Sequence, residues 1–242
     1  MYIGRRVARP VPPMESGKLI FTRETFRFFR DLARNNNKVW MDGNRPRYQQ
    51  FVVEPFRRLL DELSPAVLKL DARFDTTGRS GANFSRINRD IRFAKDKTPY
   101  RPQMYLKYSV PLADEGETGQ LYVGVSAHTV TAGFRIYAGS KRKQSALGLI
   151  AEPRLLAHPR WPAQQKIRLG RRFESYWYSS EKGDWKRRDG WPLRPDEWKR
   201  LQGWIARRKM KPGDAVKTSF PRDVEKIFRE VYPLLRFTSL VD

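Results

Sequence analysis

The sequence predicts a mixed α+β fold: an antiparallel meander of about four to six strands, packed by N-terminal and C-terminal helices. Three observations lead there. Apolar residues recur at helical spacing up to Leu70, switch to a period of two from about Ala72, and are helical again after Pro221. Between Met104 and Ala138 the strand patterns follow one another without an intervening helix, which points to a meander and not to a doubly wound sheet. The 242 residues are 39% hydrophobic and 13% aromatic, enough for a sizeable core. No repeat or linker interrupts them, so residues 19–242 read as a single domain behind a flexible basic arm, residues 1–18.

Taken in order, the arm carries Arg9-Pro10-Val11-Pro12-Pro13, where proline favours an extended backbone. Thr22 is placed to cap a helix with Phe26, Phe29, Leu32 and Ala33 at helical spacing. Asn35-Asn36-Asn37 ends it, since Asn accepts a left-handed C-cap. Lys38-Val39-Trp40 is a short connection that buries Trp40. A second helical pattern runs from Arg45 through Tyr48, Phe51, Val52, Phe56, Leu59, Leu60 and Leu63. Pro55 must kink or restart it, because proline lacks the amide donor, and Ser64-Pro65 marks a boundary before one more turn to Leu70. Arg73-Phe74-Asp75 reads as a short strand, 76–81 as a turn-rich loop and 84–88 as the next strand. Met104, Leu106, Tyr108 and Val110 alternate with polar residues, the pattern of a half-buried strand. Asp114-Glu115-Gly116-Glu117 is an acidic tip. Strands over 121–127 and 130–138 meet at a tight turn, His128-Thr129. Helical spacing returns over 140–158, and 166–194 reads as irregular. Pro195 opens a helix carrying Trp198, Leu201, Trp204 and Ile205, since its missing amide is harmless at the first position. Residues 207–211 form a closing strand, and Ser219 caps the final helix, with Val224, Ile227, Phe228, Val231, Tyr232 and Leu235 inward.

Charge is the strongest functional signal. With 49 Lys+Arg against 26 Asp+Glu, the formal charge is +23, far beyond what solubility requires. Such an excess speaks of anionic partners: nucleic acid, an anionic membrane, or phosphorylated or carboxylated ligands. The absence of cysteine excludes disulfides, thiolate metal sites and cysteine nucleophiles, and fits a reducing compartment. His128 and His158 are the sole histidines, which rules out a histidine-rich metal site; neither a metal nor a cofactor is expected. No apolar run approaches the ~20 residues of a membrane span, and no signal-peptide pattern opens the chain. The expectation is a cytoplasmic protein with no membrane partner. P-loop, GxGxxG, GxSxG and HExxH patterns are lacking, so the strongly signposted enzyme classes find no support.

The run from Phe84 to Arg101 concentrates this charge. Arg86, Arg89, Arg92, Lys95, Lys97 and Arg101 stand among Asp90 and Asp96, with Phe84, Ile87, Ile91, Phe93 and Tyr100 available as anchors. Guanidinium groups bind phosphate or carboxylate bidentately, and the lysines add point charge. Read as a strand, the run sends Arg86, Asp90 and Arg92 to one side, while Thr98-Pro99 stiffens the turn. Asp90 and Asp96 either orient these cations or serve as a general base, which makes them the catalytic candidates. Asn36, Trp40 and Tyr100 complete the candidate ligand set. The competing reading is a structural ion-pair network tying a loop to the helices. A divalent metal between the two aspartates is disfavoured by the surrounding cations. A second basic and aromatic region lies at 171–211, where Trp185, Lys186, Arg187, Arg188 and Trp191 are candidates for stacking bases and tracking phosphates. Three functions follow as expectations: an anion pocket for a phosphate- or carboxylate-bearing ligand, a nucleic-acid-binding surface, and an enzyme with an aspartate base. A continuous basic track from 86–101 to 171–211 would favour a polynucleotide.

Two motifs carry a family resemblance. Phe29, Leu32, Asn35, Asn36 and Trp40, followed by Arg86, Arg89, Asp90, Arg92, Phe93, Lys95, Asp96, Lys97, Thr98, Pro99 and Tyr100, resemble the bacterial family DUF2461. The strand pair 121–138 and the C-terminal helix also sit where that family has them, so the resemblance spans roughly 20–240. The family often has Ser where Ala94 stands, which removes a catalytic serine from this chain. It usually has Lys where Arg101 stands, which keeps the charge and alters the geometry. The resemblance implies a location, Arg86–Tyr100, and brings no reaction with it.

Overall fold

A computed structural model describes residues 19–110, 119–137, 146–181 and 184–239. The N-terminal arm, the acidic tip at 114–117, Ala138 and the first residues of the 140–158 pattern lie outside the described residues.

The N-terminal part is helical. Helix α1 (Arg23–Arg34) buries Phe26, Phe28, Phe29 and Leu32. The three asparagines that follow divide the work of the corner. Asn35 Nδ2 donates to Asp31 O, Asn36 reaches across the molecule, and Asn37 Oδ1 accepts from Trp40 N at 2.9 Å and caps α2 (Lys38–Gly43). Asn35 closes α1 at φ −126°, so the expected left-handed cap is not used. Trp40 is half-buried against Phe28, 5.6 Å between ring centres. Helix α3 (Arg45–Tyr48) passes through a π-helical turn, Gln49–Val53, into α4 (Glu54–Leu70). Pro55 falls in the first turn of α4, where a missing amide costs nothing. The boundary expected at Pro65 is absent: α4 continues through it, with Leu60 O accepting from Ser64 Oγ and from the Tyr108 hydroxyl.

A six-stranded antiparallel sheet follows, in the order β1-β2-β3-β6-β4-β5. Strands β1 (Gln103–Ser109), β2 (Gln120–Ser126) and β3 (Val130–Tyr137) are the expected meander. Helices α5 (Ala146–Ala157) and α6 (Trp161–Leu169) lead to a hairpin, β4 (Glu174–Glu181) and β5 (Asp184–Asp189). After the short α7 (Pro195–Lys199), β6 (Leu201–Met210) enters between β3 and β4, and α8 (Pro212–Ala215) precedes α9 (Phe220–Ser239).

The sheet corrects several local expectations. Residues 73–75 are a turn, and 84–88 make isolated bridges instead of a strand. Within 166–194, expected to be irregular, the described residues include the end of α6 and the paired strands β4 and β5. Leu201, Trp204 and Ile205 belong to β6, not to a helix begun at Pro195. At Trp204, Ile205 and Ala206 this central strand is buried on both faces, so consecutive apolar residues mimic a helical spacing by coincidence.

One face of the sheet bears Met104, Leu106, Tyr108, Val123, Phe134 and Trp204, all buried. Helices pack there: α9 brings Phe228 to Tyr108, and α7 brings Trp198 to Trp204. Ser239, at the end of α9, accepts from Gly119 N at 2.8 Å and so fixes where β2 begins. No helix among the described residues is long and apolar enough to cross a membrane.

Candidate anion-binding site

Residues 75–101 run along the free edge of β1. The turn is held by Asn83, wholly buried, whose Nδ2 donates to Asp75 O and Lys107 O while Oδ1 accepts from Gly78 N at 2.8 Å. Gly78 and Gly81, at φ +72° and +88°, supply left-handed backbone that other residues adopt at a penalty. Phe84 bridges Leu106, and Ser85 exchanges hydrogen bonds with Tyr105, so this segment covers the edge of β1. The chain then folds on itself: Arg101 N donates to Ile87 O and Arg89 N to Pro99 O, both at 2.8 Å. Asn36 clamps the base of this loop, its Nδ2 donating to Tyr100 O at 2.8 Å and its Oδ1 accepting from Tyr100 N at 3.0 Å.

Phe84, Ile87 and Tyr100 are buried and anchor the loop as expected, but Phe93 is 95% exposed and anchors nothing. At the tip, many of the charges satisfy one another. Arg89 donates to Asp96 and Thr98, and Asp96 Oδ1 accepts from Thr98 N at 2.9 Å. These bonds, the Thr98 amide foremost and Arg89 next, hold the Asp96 carboxyl down at about 2. Asp90 takes a bidentate grip from Arg92, at 3.0 and 2.7 Å, which lowers its pKa as well. Lys97 donates to the carbonyls of Ile91 and Arg92.

Between this loop and the sheet lies an open cavity of about 860 Å³. Arg86, Asp90, Arg92 and Arg101 line it from the loop, with the already engaged Arg89, and Lys107 and Arg135 line it from β1 and β3. Arg86, Asp90 and Arg92 therefore do converge, through loop curvature and not through strand alternation. Lys95, Lys97, Tyr100, Asn36 and Trp40 do not line the cavity; the last three act in the packing that supports it. Among the described residues, no carboxylate forms an ion pair with Arg86, Arg101, Lys107 or Arg135. Lys107 is half-buried, and its ammonium pKa is lowered, first by loss of water and then by the nearby Arg135. Lys107 and Arg135 escaped sequence reasoning. Lys107 occupies a polar position in an alternating strand, like any solvated lysine, and only the pairing Gln120↔Arg135 beside Lys107↔Tyr122 brings the two together.

The second candidate group divides across β5. Trp185 and Arg187 face the same side of the sheet as Lys107, whereas Arg188 lines a separate hollow of about 570 Å³ with Trp191 on the helix side. Trp191 is half-buried against Trp204, 5.8 Å between ring centres. Lys186 is exposed on β5.

Fold and site together define a mixed α+β protein with an open antiparallel sheet, helices on one of its faces, and a cationic cavity at the β1 edge. The chain belongs to the DUF2461 family, described as conserved hypothetical protein, which matches residues 24–237. No curated protein matches it.

Proposed function

We propose that the protein binds a small phosphate- or carboxylate-bearing ligand in the cavity between the 86–101 loop and β1. The observation that carries this reading is Lys107. A half-buried ammonium facing Arg135, with Arg86 and Arg101 nearby and the cavity-lining carboxylate of Asp90 already gripped by Arg92, is unfavourable on its own and favourable once an anion enters. Arg86 and Arg101 offer the planar forks suited to such oxygens. A catalytic role for Asp90 or Asp96 gains little support. Both carboxylates are engaged, and a pKa of about 2 for Asp96 is far from the value that suits a base near neutral pH.

Thermal unfolding with and without inorganic phosphate or pyrophosphate tests the reading, alongside native mass spectrometry of freshly purified protein for a retained anion. Phosphate should raise the Tm of the wild type in a saturable way, as mass action requires of a ligand that binds only the folded state. Lys107→Met should lose that response while its own ligand-free Tm rises by a few degrees, because function-bearing charges are commonly held at the expense of stability. A Lys107→Met protein that still responds like the wild type would exclude the cavity.

A further inference from the structure

The face of the sheet opposite the helices carries its own pattern. Tyr105, Tyr122, Tyr137, Tyr176, Tyr178 and Trp185 lie on it in register, one or two per strand across β1, β2, β3, β4 and β5. Their rings interact in sequence: Tyr105 with Tyr122, Tyr176 with Tyr178, Tyr137 with Tyr178, and Trp185 stacked on Tyr137 at 19°. Two glycines make room for them. A Cβ on Gly124 would sit 2.5 Å from the Tyr105 ring, and one on Gly203 would sit 2.7 Å from the Tyr137 ring, so each ring lies against the neighbouring strand. Guanidiniums cover part of this layer. Arg135 stands 4.9 and 4.8 Å from the centres of Tyr105 and Tyr122, and Arg187 and Arg207 stand 4.0 and 5.1 Å from that of Tyr176. At the β5 end, Trp185 is 45% exposed beside the half-buried Tyr137 and Tyr178.

We infer that this face is a binding surface for single-stranded nucleic acid. Trp185 is the exposed ring of this layer, while Tyr122 and Tyr176 are buried and support the half-buried rings around them; an exposed ring stacks bases whatever their sequence, and cations beside it track the phosphates. The charge is complementary: Lys107, Arg135, Arg187, Arg207 and Lys209 face this side, against Glu174 and Asp189, which pair with Arg207 and Arg187. Five interstrand steps separate β5 from β1, so the track is about 24 Å long. Trp185, with the edge of Tyr178 beside it and Tyr137 stacked behind it, takes bases at one end; Arg135 and Arg207 take phosphates along the middle. At the β1 end the track runs into the cavity of Lys107, Arg86 and Arg101, and only there does the inference rest on the small-anion reading. A base inside a duplex has no free face to stack, so the surface selects unpaired strands.

Fluorescence anisotropy with labelled oligouridylate and oligothymidylate of about twelve nucleotides, against a duplex of equal length, tests this. At about 50 mM salt the single strands should bind more tightly than the duplex, with affinity falling steeply toward about 200 mM. Trp185→Ala and Tyr178→Ala should each weaken single-strand binding about fivefold or more, and Trp185→Phe should recover most of the loss. Arg207→Gln should reduce the log–log salt slope by about one. Equal or tighter binding of the duplex overturns the inference, as does wild-type affinity in both aromatic variants, or no binding at about 50 mM salt. Loss of oligonucleotide binding with an intact phosphate response refutes this inference alone. Oligonucleotide binding without a phosphate response refutes the small-ligand reading alone.

Discussion

Replacing Asn36 by Ala removes both hydrogen bonds that hold the backbone of Tyr100, one donated to its carbonyl at 2.8 Å and one accepted from its amide at 3.0 Å. A hydrogen bond contributes about 0.5–1.5 kcal/mol net, and a buried backbone group left without a partner costs about 1–3 kcal/mol. Both bonds are partly buried, which puts the destabilisation at roughly 2–4 kcal/mol if water reaches one of the two orphaned groups. For a chain of this size that corresponds to a fall in Tm of roughly 5–15 °C. The sharper assay is amide hydrogen exchange, because the Tyr100 amide has Asn36 Oδ1 as its acceptor. Its protection should drop in Asn36→Ala, together with that of Arg89 and Arg101, whose amides close the same loop. Asn36→Asp keeps the acceptor but sets an oxygen against the Tyr100 carbonyl, so it should restore Tyr100 protection without restoring the full Tm. Unchanged exchange at Tyr100 in Asn36→Ala would refute the clamp, and with it the argument that Asn36 shapes the cavity from outside.

Two further outcomes can be checked. A Cβ at position 133 would lie 2.2 Å from Ala206 O and 2.7 Å from Arg207 Cα, both backbone, whereas one at 124 meets a tyrosine ring that can tilt. Gly133→Ala should therefore cost about 3 kcal/mol or more in chemical denaturation, and Gly124→Ala about 1 kcal/mol; the reverse order would contradict the register between β3 and β6. For Asp96, NMR titration of the side-chain carboxyl should give a midpoint near 2, with Arg89→Gln moving it part of the way back toward 3.8. Because the folded pKa lies below the ordinary one, the stability Asp96 contributes is complete above about pH 4 and is lost as pH falls through about 2. A wild-type midpoint at 3.8 would break the Asp96–Thr98–Arg89 network.

The helices and β1 were readable because they expose one face and bury the other, so Phe26, Phe29 and Leu32, or Met104, Leu106 and Tyr108, carry an unambiguous period. The middle of the sheet was not. Strand β6 is covered on one side by the core and on the other by Tyr122 and Tyr176 packing on Ile205, and that double burial erases its alternation. The charged loop was legible as a cluster, and its internal pairing was not. Charge density marked the loop, but the sequence does not say that Arg92 turns back on Asp90, or that Arg89 is absorbed by Asp96 and Thr98. What decides which cations remain unpaired is contact across strands, and Lys107 and Arg135 are distant in the chain. The asparagine run shows the same limit from the other side. One residue suffices for a helix end, and the surplus amide at Asn36 was serving a backbone 64 residues away.

The position of β6 has a consequence for how the molecule is made. It is the last strand to be synthesised, yet it joins β3 to β4, so until about residue 210 emerges the meander and the β4–β5 hairpin share no backbone ladder. The two halves wait for a closing element whose pairing with β3 spans a long stretch of chain, a topology that slows the final step of folding. During that wait the inner edges of β3 and β4 stand unpaired beside Phe134 and Trp177, and the nascent chain is at its most vulnerable to pairing with another copy of itself. The finished sheet is better defended. The 83–85 segment covers β1, and Lys186, Arg187 and Arg188 charge the β5 margin, so the hazard belongs to assembly and ends when β6 docks.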